Sequence, residues 1–305
     1  MKIRTEFTKA ERKKYPELDN EDNMFVLKYI LRRIKEGKNS IILTVGVTGS
    51  GKSWVNLRMA EILMVMQGKI FDTVNRIFFT LKTLLAYTNK QDIELGDVSV
   101  SEELGVSMGS RQWQKNVDYS QLLQTFRDLG LISFLNVPFK VMVDKHARLL
   151  AHFQIVMQMR ENGMNVIKFF LLQHNPSAAT ESKTTYTKYL RVKKTNEWGF
   201  KKVKPIKKLY WEKPSQEVLD IYLPMQSAFK SGVRKRLEQK TNKEEEKDKE
   251  QTRTSKVTDE DIQRLMKKGL EKWEIANVLG VGVRTIQQHI KDMNETKENE
   301  KNTRY

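Results

Sequence analysis

Apolar residues recur every three or four positions across Asp22–Lys35, at Met24, Leu27, Leu31 and Ile34 with Ile30 beside them. That spacing predicts one helix with a single buried stripe, stopped near Gly37. The pattern then alternates between strand-sized and helix-sized segments. Ile41–Val45 is a short β-branched run, followed by a helix-like stretch from Trp54 to Met66. Arg76–Thr80 reads as a strand, Leu81–Thr88 as a short helix, and Val98 with Val100 as another strand. Leu122–Leu129 is helical, Leu131–Val137 a buried strand, and His152–Met159 and Asn165–Leu172 form a hairpin around Glu161, Asn162 and Gly163. Strands alternating with helices predict an α/β fold with a parallel central sheet flanked by helices.

The ends of the chain break this rhythm. Residues 1–20 are a polar arm of mixed charge, and residues 237–256 are poor in apolar side chains, with six acids against six bases in Glu238–Lys256. The second stretch predicts a charged linker or a fraying helix, and a domain boundary, so that residues 21–236 form the main domain. Beyond it, residues 257–294 carry three short helical patterns, Asp259–Lys268 with Thr258 as N-cap, Lys272–Leu279 and Val283–Met293. Their apolar positions Ile262, Leu265, Ile275, Ala276, Leu279, Val281, Ile286 and Ile290 suffice for a small all-α core, and residues 295–305 are a polar tail.

The junction after Ile41–Val45 carries the strongest chemistry. Gly46, Val47, Thr48, Gly49, Ser50, Gly51, Lys52 and Ser53 fill the pattern G-x-x-x-x-G-K-[ST], with Trp54 opening the helix behind it. Glycines there let backbone N–H groups turn toward phosphate, and the helix N-terminus adds partial positive charge. Lys52 would reach the β- and γ-phosphates of ATP and Ser53 would ligate Mg²⁺. Farther on, GDVSVSEELG delivers Glu102 and Glu103 to the end of a strand. Glu102 suits a magnesium-side carboxylate and Glu103 a base that polarises water. Asn89–Asp92 matches the guanine-reading pattern N-K-x-D, but it trails a helix and precedes the carboxylate, so adenine is the expected base.

Composition narrows the partners. The chain has 305 residues and no cysteine, which excludes disulfides, thiolate zinc sites and cysteine nucleophiles. The four histidines are scattered without ligand spacing, and no apolar run reaches the length of a membrane span. A cytoplasmic protein is expected. The formal charge of +17 favours a polyanionic partner. Lys183–Lys213 holds eleven Lys or Arg against two Glu, interleaved with Tyr186, Tyr189, Trp198, Phe200, Tyr210 and Trp211, a composition suited to a nucleic-acid backbone and its bases, the alternative being a solvated hairpin whose aromatics are core.

The run from GVTGSGKS through GDVSVSEELGVSMGSRQW to LLQTFRDLGLISFLNVPF and DKHARLL resembles the zonular-occludens-toxin-like P-loop ATPases of archaeal and phage mobile elements, within the HerA/FtsK group. In that family the second motif usually reads G-D-V-x-x-x-D-E-x-G. Gly96, Asp97, Val98, Glu103 and Gly105 match, and Glu102 stands where aspartate is usual. The resemblance implies a ring-forming ATPase, a homo-oligomer with a hexamer favoured. It implies a γ-phosphate sensor at a strand end, for which Asn136 is placed, and an arginine offered to a neighbouring subunit, for which Arg127 is the candidate with Arg111 and Arg148 as competitors. The segment IANVLGVGVRTI resembles the helix-turn-helix of resolvases and sigma-type regulators, with Gly282 in place of the usual serine. That likeness implies that Arg284, Thr285, Gln287, Gln288 and Lys291 face DNA.

The expectation is therefore a P-loop NTPase domain followed by a small helix-turn-helix domain. Its function would be ATP-driven translocation, packaging or remodelling of DNA for a virus, plasmid or mobile element, in the host cytoplasm and with possible partner proteins of that element. The alternatives are a nucleotide-switched DNA-binding regulator with little turnover, and a morphogenesis or secretion ATPase acting on protein.

Overall fold

The computed structural model describes the chain apart from residues 91–92, 103–112, 144, 176–184, 196–200, 255–256 and 303–305. It divides into two compact units, Met1–Gln226 and Ser227–Tyr305. In the first, the strands are β1 (Ser40–Val45), β2 (Ile77–Phe78), β3 (Val98–Ser101), β4 (Ile132–Val137), β5 (Phe153–Met157), β6 (Asn165–His174), β7 (Thr185–Tyr189), β8 (Arg191–Thr195), β9 (Lys201–Pro205) and β10 (Leu209–Trp211). The helices are α1 (Lys9–Lys14), α2 (Glu21–Lys35), α3 (Lys52–Met66), α4 (Thr73–Arg76), α5 (Leu81–Thr88), α6 (Trp113–Leu129) and α7 (Lys145–Leu150).

The central sheet runs β10-β6-β5-β1-β4-β3-β2, with β7 also pairing to β6. It is parallel from β2 to β5, whereas β6, β7 and β10 are antiparallel. The parallel central sheet expected from the alternation of elements is thus continued by the expected hairpin, β5 and β6, and extended by β7 and β10. Strand β4 lies between β1 and β3. The architecture, a mostly parallel sheet flanked by helices, is P-loop NTPase-like.

The period of two in the strands sorts side chains into two apolar layers. Ile42, Val100, Phe134 and Ile155 pack with α2 and α3, while Ile41, Leu43, Leu135 and Val137 pack with α5, α6 and α7. Helix α2 buries Met24, Leu27, Ile30, Leu31 and Ile34, the stripe its spacing predicts. Helix α3 is buried nearly all round because sheet and helix cover opposite sides of it.

Residues 1–20, which the hydropathy pattern leaves without an element, are built into this unit. Thr8 and Glu11 cap α1 reciprocally, and the Arg4 backbone N–H donates to the Met66 carbonyl at 2.8 Å. Arg58 of α3, only 2% exposed, donates to both Glu17 carboxylate oxygens at 2.9 Å. A charge pair, which periodicity does not register, does the fastening here.

Strands β8 and β9 form a separate two-stranded sheet rich in lysine. The aromatics beside them divide. Trp211 is fully buried, Tyr189 lies 4.8 Å from Phe170, and the Tyr210 hydroxyl donates to Glu161 at 2.9 Å. Tyr186 is exposed, while Trp198 and Phe200 lie outside the described residues. Three of the six aromatics expected to serve a nucleic acid therefore have structural work instead.

Helix α8 (Gln216–Thr254) runs through the stretch read as a charged linker or a fraying helix. Next come α9 (Asp259–Lys267), α10 (Lys272–Leu279) and α11 (Val283–Asn302), the last longer than its apolar pattern. Thr258 accepts from the Asp261 N–H as N-cap, and Gly280 ends α10 at φ +65°. The core here is Val257, Ile262, Ile275, Ala276 and Ile286. Among the described residues no helix is long and apolar enough to cross a membrane.

Candidate functional site

Strand β1 ends at Val45 and the chain turns through Gly46–Gly51 into α3. A Cβ on Gly46 would lie 2.7 Å from Met157 Cβ and 2.8 Å from Ser50 Oγ, so no larger residue fits beneath the loop. Gly51 caps α3 at φ +90°, a conformation for glycine, and a Cβ there would lie 2.5 Å from Asn165 Oδ1. The loop is thus fixed by neighbours on both sides. Lys52 Nζ donates to the carbonyls of Gly46 at 2.7 Å and Val47 at 3.1 Å, so its charge lies inside the curl of the loop.

Register sets the opposite wall. Thr44 of β1 pairs with Asn136 of β4, and Ser101 of β3 with Leu135, so Glu102 follows β3 level with Asn136. The side chains meet on the α3 face. Ser53 Oγ donates to Glu102 Oε2 at 2.8 Å, and Asn136 Nδ2 donates to Glu102 Oε1 at 2.8 Å and lies 3.4 Å from Ser53 Oγ. Glu102 is 4% exposed and Asn136 2%, so the carboxylate is drawn out of water and held by directed donors.

Three expected residues, Ser53, Glu102 and Asn136, thus converge with Lys52 at the phosphate loop. Glu103 and Arg111 lie outside the described residues. Arg127 is exposed on the last turn of α6, away from this network; Arg148 is half-buried on α7. Trp54 is half-buried, with the Arg160 guanidinium 4.8 Å and Lys213 Nζ 5.9 Å from its ring centre. Asn89 follows α5 beside β2, three strands from β1, and Gln91 and Asp92 lie outside the described residues. Asp97 sits at the other end of β3 from Glu102, bonded to Arg76 at 2.8 Å, and there it secures the strand.

Two residues of the network escape a reading of the sequence. Asn56 Nδ2 donates to Asn136 Oδ1 at 2.7 Å, and Thr44 Oγ1 donates to Asn56 Oδ1 at 2.8 Å, all within the buried interior. The available signal is a polar residue in the apolar run of α3, three positions after Ser53 and so on its face of the helix.

The residues present fit a magnesium-bound nucleotide. Ser53 and Glu102 offer hard oxygen donors side by side. Ser50 Oγ is buried in the loop with no hydrogen-bond partner among the described residues, a donor suited to phosphate oxygen. A cavity of 760 Å³ opens along Gly46–Ser50, bounded by Pro138–Lys140 and Val156–Arg160.

In the second unit, Arg284, Gln287, Gln288 and Lys291 are exposed on α11 and Thr285 is half-buried. Gln288 donates to Asp292 at 2.8 Å and Lys291 lies 3.6 Å from Glu295, so acids share this face.

No family model matches the chain, and no curated protein matches it. Among solved structures, the N-terminal domain of zonular occludens toxin from Neisseria meningitidis aligns at TM-score 0.33 and 18% identity, over 50% of this chain and 95% of that one. Function is therefore read from the site's own geometry.

Proposed function

We propose that this chain is a Mg²⁺-dependent P-loop ATPase that works on DNA. The observation that carries the hydrolytic part is the convergence of Ser53, Glu102 and Asn136 on the loop that holds Lys52. Mg²⁺, when bound by Ser53 and, through water, by Glu102, would neutralise charge between the β- and γ-phosphates. Loop N–H groups and Lys52 bind and orient the phosphates. Asn136 donates to the terminal phosphate, and Glu103 accepts the proton of the attacking water. Arg127, exposed rather than wired into its own site, is offered to the next subunit of a ring, with a hexamer favoured.

DNA is the proposed polymer because positive charge is dense in β8–β9 and because α9, α10 and α11 follow the order and spacing of a helix-turn-helix. In that reading α11 enters the major groove with Arg284, Thr285, Gln287, Gln288 and Lys291. The sequence resemblance adds the setting, a mobile element in a host cell.

Translocation requires many hydrolysis events per bound DNA, and a nucleotide switch requires few. ATPase activity on long and short duplexes at equal nucleotide concentration separates the two. A motor turns over more ATP per complex as the duplex lengthens; equal, low turnover on both lengths rejects the motor.

A further inference from the structure

Building on the nucleotide reading, we propose that Thr44 and Asn56 fix the orientation of the Asn136 amide and thereby make the site distinguish a nucleoside triphosphate from a diphosphate. An asparagine amide has two orientations of nearly the same shape and opposite hydrogen-bonding sense. Here both ends of a relay select one. Thr44 Oγ1 donates to Asn56 Oδ1, so Asn56 presents Nδ2 to Asn136, which accepts at Oδ1. The Asn136 Nδ2 group is left to face Glu102 Oε1 and Ser53 Oγ. Reversing Asn136 would set its oxygen against the Glu102 carboxylate and its Nδ2 against that of Asn56. Thr44 and Asn56 are 0% exposed and Asn136 2%, so water cannot replace a missing partner.

The consequence is chemical. Asn136 offers the phosphate side of the site N–H donors only, a group that favours an anionic terminal phosphate and gains nothing from a nucleotide that lacks one. Thr44 and Asn56 are positioning residues, acting through Asn136 without touching the nucleotide.

The test uses the full-length chain and three variants, Thr44→Val, Thr44→Ser and Asn56→Asp. Thr44→Val keeps the shape and removes the donor that anchors Asn56. Asn56→Asp puts an acceptor where a donor faces Asn136, so the Asn136 amide turns its Nδ2 away from the phosphate side. Affinities for a non-hydrolysable ATP analogue and for ADP are measured by fluorescence titration, with Tm recorded for each variant. Thr44→Val and Asn56→Asp should lose about tenfold in triphosphate affinity, the scale of one well-placed hydrogen bond, while ADP affinity stays within about twofold. Thr44→Ser keeps the hydroxyl and should restore the preference. The inference is overturned if both disruptive variants keep the wild-type triphosphate preference, or if affinity for both nucleotides falls together with Tm. Should wild type bind neither nucleotide, the nucleotide reading falls and takes this inference with it. A wild type that binds and hydrolyses ATP while Thr44→Val and Asn56→Asp both keep its preference overturns this inference alone.

Discussion

The two units present their candidate chemistry in opposite ways. Around the phosphate loop the functional side chains are buried and hold one another: Glu102 is bonded by Ser53 and Asn136, and Asn136 by Asn56. On α11 the candidate side chains other than half-buried Thr285 stand in water, and Gln288 and Lys291 turn to acids on the same helix. In the first unit, position is fixed before any ligand arrives, and removing one member leaves a buried partner unsatisfied. In the second, position is supplied by the helix, and side chains reorganise at little cost. Single changes should therefore act steeply in the first unit and gradually in the second.

Glu102→Gln removes the charge from the most constrained point while keeping the shape. Turnover should fall by roughly two or more orders of magnitude with nucleotide binding retained, measured as steady-state phosphate release. Wild-type turnover would show that the carboxylate at this strand end is idle.

The counterpart in the second unit is structural. Ile286 is fully buried in a core of five residues, and Ile286→Ala should cost about 2–5 kcal/mol, enough to melt so small a core. Circular dichroism should show a fall in helix content while ATP turnover without DNA stays near wild type. A parallel loss of turnover would contradict the separateness of the two cores.

Smaller effects are expected on the exposed face. Arg284→Glu with Lys291→Glu should weaken DNA binding by about 1–3 kcal/mol for each base-reading hydrogen bond removed, and erase preference among duplex sequences. The β8–β9 lysines would preserve a non-specific component that falls steeply with salt. Titrations across a salt series read both; unchanged sequence preference would remove α11 from the interface.

A further effect concerns pH. His152 accepts the Ile41 N–H at Nδ1, 3.1 Å away, and burial lowers its pKa from 6.5 to about 3. On acidification the unfolded chain takes up this proton first. The contribution of His152 is thus complete above pH 6.5 and is lost progressively as pH falls toward 3. His152→Asn should flatten that limb of a Tm–pH profile.

The same contrast explains what is legible in the sequence. The phosphate loop can be read because backbone geometry confines its residue types, and α2 because its apolar stripe matches what it buries. Glu102 and Asn136 fall at strand ends in the sequence pattern, but their meeting depends on the register of β1, β3 and β4, which sequence does not print. Thr44 and Asn56 read as stray polar residues in apolar segments until the sheet brings them together. The polar arm hides its attachment because Glu17 and Arg58 are 41 positions apart in the chain. Trp211 looks like a base-stacking residue and is core, since a basic neighbourhood says nothing about which way a ring points.

Hydrolysis of ATP with Mg²⁺ by this loop and its neighbours is tested by phosphate release from full-length protein and from Lys52→Ala across a magnesium titration. Lys52 bonds to the Gly46 and Val47 carbonyls of its own loop, so the variant should fold with little change in Tm. Turnover in the wild type should depend on Mg²⁺, and the variant should release phosphate at least about a hundredfold more slowly. Equal turnover in the two proteins, or turnover indifferent to Mg²⁺, would contradict an ATPase site at this loop.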